Sequence, residues 1–309
     1  MSAASARSSQ QVPTSKATCG SASAAGMEFL LQTACSRTWS RDRFFCGLFI
    51  LAVANGLEIC VVNSIVTQGW SAALLDLFGV SAIVWLACLA GANLLCSSRQ
   101  NEAITSPDAV VGLVVLALTI LPFERVSWFA LTALSLYMLW VSPAQSFRRR
   151  GTLITLALTG PMLWGPALML IFGPTILKAD AVLVSGVIGT DHVGNVFSGA
   201  IGSDGNPARY VIYPDCSSLR GMSMAILAFV TVTNVFGAAW SARHLAFGLL
   251  AILSVVVVNV TRLSLIGLFP SYFSVIHGLP GSAIAAWLSL ALVVAIPLIG
   301  VGREAFVRT

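Results

Sequence analysis

Eight apolar runs follow one another along this chain, and most are long enough to cross the hydrocarbon core of a membrane. A helix needs about 20 apolar residues to cross roughly 30 Å of hydrocarbon. The runs lie near residues 44–66, 74–96, 108–123, 127–143, 152–174, 218–240, 246–268 and 281–301. The sequence therefore predicts an all-α integral membrane protein, a polytopic bundle of about eight transmembrane helices. The third and fourth runs are short, so the sequence leaves open whether both cross fully.

The composition agrees with this class. Hydrophobic residues make up 57% of the chain and charged residues only 9%. A soluble domain of this size carries charge on about a quarter of its residues, so lipid must cover most of the surface. The net charge of +5 does not predict a nucleic-acid partner, because no basic stripe occurs and excess Lys and Arg in a membrane protein usually reflects topology.

The basic residues predict the orientation. If the N-terminus is cytoplasmic, only Arg125, Lys178 and Arg209 fall outside. The inside segments then hold Arg7, Lys16, Arg37, Arg41, Arg43, Arg99, Arg148, Arg149, Arg150, Arg243, Arg303 and Arg308. The positive-inside bias therefore places both termini in the cytoplasm.

Three regions follow from this reading. Residues 1–43 are polar and rich in small residues, which predicts a cytoplasmic, largely disordered segment. Residues 44–143 hold the N-terminal spans, and residues 144–309 hold the remaining spans and one long outer loop, 175–217. In that loop SDGNP stands between NVFSGAI and ARYVIY, which predicts a β-hairpin in a small β-rich cap.

Cys216 is the one cysteine that the topology places outside the membrane on the far side. The seven cysteines form no CxxC or Cys/His spacing, so no metal site is expected. Asp215 is a candidate N-cap of the sixth span, which would put Cys216 in the first helical turn. The free N–H groups of a first turn favour a thiolate. Asp215 opposes this, so we expect a cation nearby.

Arg262 and His277 are candidate partners for Cys216 at the same face. Arg262 lies in the seventh span, where an arginine costs several kcal/mol unless it is paired or lines a wet cavity. Asn259, three residues earlier, shares its helix face and could orient it. His277 precedes the last span. A thiol, a histidine base and an arginine together suit nucleophilic catalysis, although each residue taken singly also fits a structural role.

Three stretches resemble the active-site motifs of the exosortase/archaeosortase family of membrane cysteine transpeptidases: PDCSSLRG at 214–221, NVTR at 259–262 and IHG at 276–278. The resemblance covers about residues 150–301. It implies Cys216 as the nucleophile, Arg262 as the electrostatic stabiliser and His277 as the third member, with Arg220 in support. Ser218 departs from the family pattern, which usually has glycine there.

The resemblance also implies a function. The chain is expected to be a thiol protease/transpeptidase of the bacterial cytoplasmic (inner) membrane, with its active site at the periplasmic face and no cofactor or metal. Its substrate would be a secreted protein with a C-terminal sorting signal, in systems linked to exopolysaccharide and surface anchoring. Two alternatives stay open: a transporter or lipid- or polysaccharide-export protein that uses Arg262 and Arg220 as an anion site, and a catalytically silent relative.

Overall fold

The structure, a computed structural model, describes residues 40–97, 102–201 and 207–305. The predicted disordered segment 1–43 therefore lies almost entirely outside the described residues. Its last residues, from Arg41 on, belong to a helix that Ser40 caps by accepting a hydrogen bond from the N–H of Arg43.

Helices make up most of the described chain. They are α1 (Arg41–Gln68), α2 (Trp70–Leu75), α3 (Ala82–Cys96), α4 (Ser106–Ile120), α5 (Glu124–Val141), α6 (Phe147–Thr159), α7 (Gly165–Ile188), α8 (Ser218–Val235), α9 (Ala242–Leu268), α10 (Phe273–His277) and α11 (Leu279–Ala305). The strands are β1 (His192–Val193), β2 (Val196–Ile201) and β3 (Pro207–Val211). The end of the bundle that carries the strands is called the sheet end, and the opposite end, with Arg41 and Arg148, the arginine end.

Five segments of the described chain are helices long and apolar enough to cross a membrane. They are Arg41–Gln68, Phe147–Ile188, Ser218–Val235, Ala242–Leu268 and Leu279–Gly302. Large apolar side chains also stay exposed on the helices, such as Val66, Leu113 and Leu170, and lipid would cover them. The prediction of a helical membrane protein is confirmed. The count of eight is not, since α3 and α4 are apolar but shorter, and α5, although 18 residues long, is not among the five.

The fifth predicted span is part of a helix of 42 residues, Phe147–Ile188. A π-helical turn at Gly160–Trp164 joins α6 to α7, because Pro161 and Pro166 lack the N–H groups that an unbroken α-helix needs. At 1.5 Å per residue the helix is about 63 Å long, roughly twice the hydrocarbon thickness. The prediction of a loop over 175–217 is therefore wrong in its first part, since residues 175–188 are helical.

The second predicted span, 74–96, begins later than expected. Leu77, Phe78 and Gly79 have positive φ angles of 51°, 59° and 69°, which end one helix before α3 starts. The indole N–H of Trp85 donates to the carbonyl of Leu77 (3.1 Å) and holds this break in place.

The predicted β-hairpin is present in its strands. β2 and β3 pair antiparallel, with Phe197 opposite Tyr210, and β1 adds a third strand on the other side of β2. The expected turn residues 203–206 lie outside the described residues. The sheet packs closely on α9: a Cβ atom on Gly199 would lie 2.6 Å from the carbonyl oxygen of Gly267.

A small core joins the sheet to the helices beneath it. It is separate from the main core of the bundle and is formed by Leu177, Ala181, Val184, Phe197, Ile212, Val260, Leu263 and Ile266. These residues come from α7, β2, the segment after β3, and α9. The sheet is therefore fixed to the same two helices that flank the start of α8.

Buried ion pairs hold the arginine end together. Arg148, fully buried, pairs with Asp42 of α1 and with Glu102 (2.8 Å), while Arg41 pairs with Glu102 (3.3 Å) and Asp108 (2.8 Å). The hydrogen bond from Arg148 lowers the pKa of Glu102, with partial burial opposing it. The basic run at 148–150, which the sequence predicts only as an orientation signal, thus also joins α6 to α1 and to the segment before α4.

We predict that Arg148→Met lowers the stability of the protein in detergent. Removing one member of a buried ion pair costs about 3–5 kcal/mol, since the other charge is left without a partner. Arg43→Met is the matched control, because Arg43 is exposed one residue from Asp42. The apparent melting temperature measures both. Equal melting temperatures for the two variants would contradict a structural role for the buried pair.

Candidate functional site

Cys216 lies at the junction between the sheet and α8. It ends a short 3₁₀ turn, Pro214–Cys216. Ser217 is the N-cap: its backbone is extended (φ −75°, ψ 145°) and its hydroxyl accepts a hydrogen bond from the N–H of Leu219. The predicted cap at Asp215 is wrong, because the proline-led turn delays the extended residue that a cap requires until position 217. Cys216 therefore precedes the helix.

The backbone around Cys216 is held by two helices. Asp180 of α7, which is 4% exposed, accepts hydrogen bonds from the hydroxyl of Ser217 (2.8 Å) and the N–H of Ser218 (3.1 Å). From the other side, the amide of Asn259 on α9 donates to the carbonyl of Cys216 (2.8 Å) and to the hydroxyl of Ser218 (3.1 Å). These four bonds fix residues 216–218 in place.

Asp180 is the residue of the site that the sequence analysis missed. The prediction of an outer loop from residue 175 placed it in solvent, although LKADAVLVSG contains no glycine or proline before Gly186. That absence of helix breakers was the signal for a continuing helix. On α7, Asp180 supplies a negative charge at the positive end of α8, which is a favourable position.

Ser218, where the resembled motif usually has glycine, lies in the wall of the cleft beside Cys216. Its side chain is 5% exposed, and the hydroxyl is a hydrogen-bond partner of Asn259. A glycine there would lack this bond. The serine hydroxyl thus contributes one of the hydrogen bonds that fix the segment containing Cys216.

Arg262 is paired, as an arginine in an apolar helix must be. Its Nε donates to the carbonyl of Ile276 and its Nη2 to the carbonyl of His277, both at 3.3 Å. These carbonyls belong to the last residues of α10, where a helix presents acceptors without partners of their own. Arg262 therefore ties α9 to the segment that carries His277.

The imidazole of His277 is the last ring of an aromatic stack. It lies on Phe273, with ring centroids 5.0 Å apart and an angle of 14° between the planes. Phe273 stacks on Tyr210 of β3 (5.8 Å), which stacks on Phe197 of β2 (5.4 Å). A row of four stacked rings, of which His277 is the last, thus connects the sheet to α10. Each stacked pair of this kind adds about 0.5–1.5 kcal/mol to stability.

The thiol of Cys216 is left without a polar partner. Its side chain is half-buried and packs against the small core, as do Tyr210 and Ile276. Among the described residues no hydrogen bond or ion pair reaches the sulfur, so the expected cation is not in contact with it. Arg220 instead lies 4.0 Å from Asp215, in an exposed pair that contributes little to stability but offsets the neighbouring carboxylate.

A cleft of about 680 Å³ opens beside this segment. Its walls come from the start of α3, the start of α8, the sheet-end half of α9 and the first half of α11. Its polar lining includes Asp76, Asp215, Ser217, Ser218, Arg220, Asn259 and Arg262, and its apolar lining includes Met224, Trp287, Leu290 and Val293. Of the described residues, Cys216 and His277 are not among those that line it. Of the predicted site residues, Arg220, Asn259 and Arg262 therefore line the cleft, whereas Cys216 and His277 do not.

No protein-family model, curated protein or solved structure matches this chain. Within the described residues, no group of three or more His, Cys, Asp and Glu side chains lies together in a way that could hold a metal ion.

We predict that Asp180→Ala loosens the segment around Cys216. The variant leaves a buried N–H and a buried hydroxyl without an acceptor, which costs about 1–3 kcal/mol. The rate at which Cys216 reacts with a maleimide, followed by mass spectrometry of its peptide, should rise several-fold. Asp191→Ala, at an exposed position of the same region, should leave the rate unchanged. An unaltered rate in Asp180→Ala would mean that Asp180 does not hold the segment.

Proposed function

We propose that the chain is a membrane-embedded cysteine protease/transpeptidase of the bacterial inner membrane, with Cys216 as its nucleophile. Its substrates would be secreted proteins that carry a C-terminal transmembrane sorting signal. The proposal rests on the four hydrogen bonds by which Asp180 and Asn259 hold residues 216–218, here called the clamp. The clamp lies beside a cleft that Arg262 and Arg220 line. A nucleophile needs a fixed backbone and a free side-chain atom; the hydrogen bonds to residues 216–218 support the first, and within the described part of the chain no polar group contacts the Cys216 sulfur.

The cleft suits a peptide that arrives from the membrane. Its apolar walls on α8 and α11 include Met224, Leu290 and Val293, while its polar groups gather near the start of α8. A transmembrane signal helix would lie against the apolar walls and present its outer end to the polar ones. The scissile bond would then reach Cys216 at the sheet end.

The chemistry would proceed in two steps. The Cys216 thiolate attacks the carbonyl carbon of the scissile peptide, and a carbon–sulfur bond forms while the carbonyl oxygen becomes an oxyanion. Arg262, the cation of the cleft on the same helix face as Asn259, would stabilise this charge. Collapse breaks the carbon–nitrogen bond, and the leaving amine takes a proton. Water or an acceptor amine then attacks the thioester and restores the thiol.

We assign the proton transfers to His277, which must move to reach Cys216. Its ring stacks on Phe273 and is exposed, and no described contact joins it to Cys216. Substrate binding would have to displace α10 so that the imidazole reaches the thiol. Arg262 binds the carbonyls at the end of α10. It would release them when it binds the oxyanion, so the displacement of α10 and the stabilisation of the oxyanion would be coupled.

We predict that Cys216→Ala abolishes cleavage. A secreted reporter would carry a candidate C-terminal signal drawn from the host's own proteins: a short motif, an apolar helix and a basic cluster. In cells with the native chain the reporter should lose its tail, and with Cys216→Ala it should keep it. Cys88→Ala is the control, since Cys88 is buried in the main core. Full cleavage with alanine at position 216 would exclude a thiol mechanism.

One observation favours a second candidate, a non-catalytic transporter or lipid- or polysaccharide-export protein. Arg220 and Arg262 both line the cleft whereas Cys216 does not, so an anionic headgroup or polymer could bind there without covalent chemistry. Such a protein would lose function in Arg262→Gln and keep it in Cys216→Ala. A transpeptidase would lose it in both.

We predict that the sheet end faces the periplasm and the arginine end the cytoplasm. A membrane-impermeant maleimide should label Asp191→Cys in cells whose outer membrane alone has been opened. It should label Arg43→Cys only after the inner membrane is opened as well, and both positions are exposed in the fold. Labelling in the reverse order would invert the orientation and place Cys216 in the cytoplasm.

A further inference from the structure

Two cysteines that the proposed function does not use meet at the arginine end. Cys46 lies near the start of α1 and Cys96 is the last residue of α3. Their sulfur atoms are 2.7 Å apart, and the Cys46 sulfur also lies 3.7 Å from the carbonyl of Ala92. Two unbonded sulfur atoms do not rest this close together, whereas a disulfide joins them at about 2.05 Å.

We propose that Cys46 and Cys96 are a redox modification site that forms a disulfide between α1 and α3. A closing movement of less than about 1 Å brings the sulfurs to bonding distance. The main core already packs α1 against α3 around Cys46 and Cys88, so the bond needs no rearrangement of the bundle. The proposal is independent of the proposed protease function.

The two cysteines differ in access, which sets the order of the reaction. Cys96 is exposed, while Cys46 is 2% exposed. A disulfide co-reactant such as oxidised glutathione can therefore reach only Cys96 directly. The Cys96 thiolate attacks one sulfur of the co-reactant, forms a mixed disulfide and releases one glutathione. The Cys46 thiolate then attacks the Cys96 sulfur and releases the second glutathione. Two protein thiols are oxidised, one glutathione disulfide is reduced, and the two protons end on the two glutathione thiols.

The location suggests when the site is used. In the orientation proposed above the arginine end is cytoplasmic, where thiols are normally kept reduced. The pair would then be a dithiol at rest and a disulfide under oxidative conditions. In that state it would join α1, which also carries Asp42 of the buried ion pairs, to the end of α3.

The test uses the full-length chain purified in detergent. After incubation with oxidised glutathione, free thiols are blocked with N-ethylmaleimide and the protein is digested without reduction. Mass spectrometry should find the peptide that contains Cys46 linked to the peptide that contains Cys96 in most chains. The linked peptides should disappear after treatment with a reductant. Cys88→Ser, on the same helix as Cys96, should not alter the yield.

Two variants separate the steps. Cys46→Ser should leave Cys96 as a mixed disulfide with glutathione, and Cys96→Ser should leave Cys46 free and alkylated only after denaturation. The proposal fails if both thiols of the native chain remain free after oxidation. It also fails if Cys96 joins another cysteine, such as Cys19 or Cys35, in preference to Cys46.

Discussion

The rest of this structure depends on one constraint: a polar group among apolar helices must find its partner within the protein, because lipid offers none. At the arginine end, Arg148 meets this need with Asp42 and Glu102. At the sheet end, Asp180 accepts two hydrogen bonds from residues 217 and 218, and Asn259 donates two to residues 216 and 218. These two groups of polar contacts lie at opposite ends of the bundle, and the candidate site lies at one of them.

The fold was largely predictable from the sequence because its main signal is local. Apolar runs predict where helices lie, and the turn residues around 203–207 predict paired strands on either side. The boundaries were less predictable. The loop expected from residue 175 is helical to Ile188, because a helix of apolar residues can leave the membrane without any break in its pattern. The start of α3 depends on left-handed residues Leu77 and Phe78, which composition does not reveal.

From the residues alone, the cleft wall was predictable where two residues share a helix face, whereas Arg220 was expected only from the family resemblance. Asn259 and Arg262 were expected together because they are three residues apart on α9, and they line the same cleft. Asp180 was missed because its role requires α7 and α8 to meet, a contact between elements about 40 residues apart. The stack from Phe197 through Tyr210 and Phe273 to His277 is likewise non-local. No spacing within one segment could have indicated it.

The environment of Cys216 differs from that of a cysteine that serves only as a small apolar residue. Cys88 shows the second kind: it is 9% exposed and surrounded by the main core. At Cys216, side-chain hydrogen bonds hold the carbonyl of the cysteine and the two residues after it, while its half-buried sulfur has no polar partner among the described residues. If the clamp served only to begin α8, Ser217 and Asp180 would be sufficient, since together they satisfy the first N–H groups of the helix. The additional bond from Asn259 to the carbonyl of Cys216 fixes the position of the cysteine itself, and it comes from the helix that carries Arg262. The proposed nucleophile at position 216 would need a backbone held in this way, although its side chain also packs against the small core.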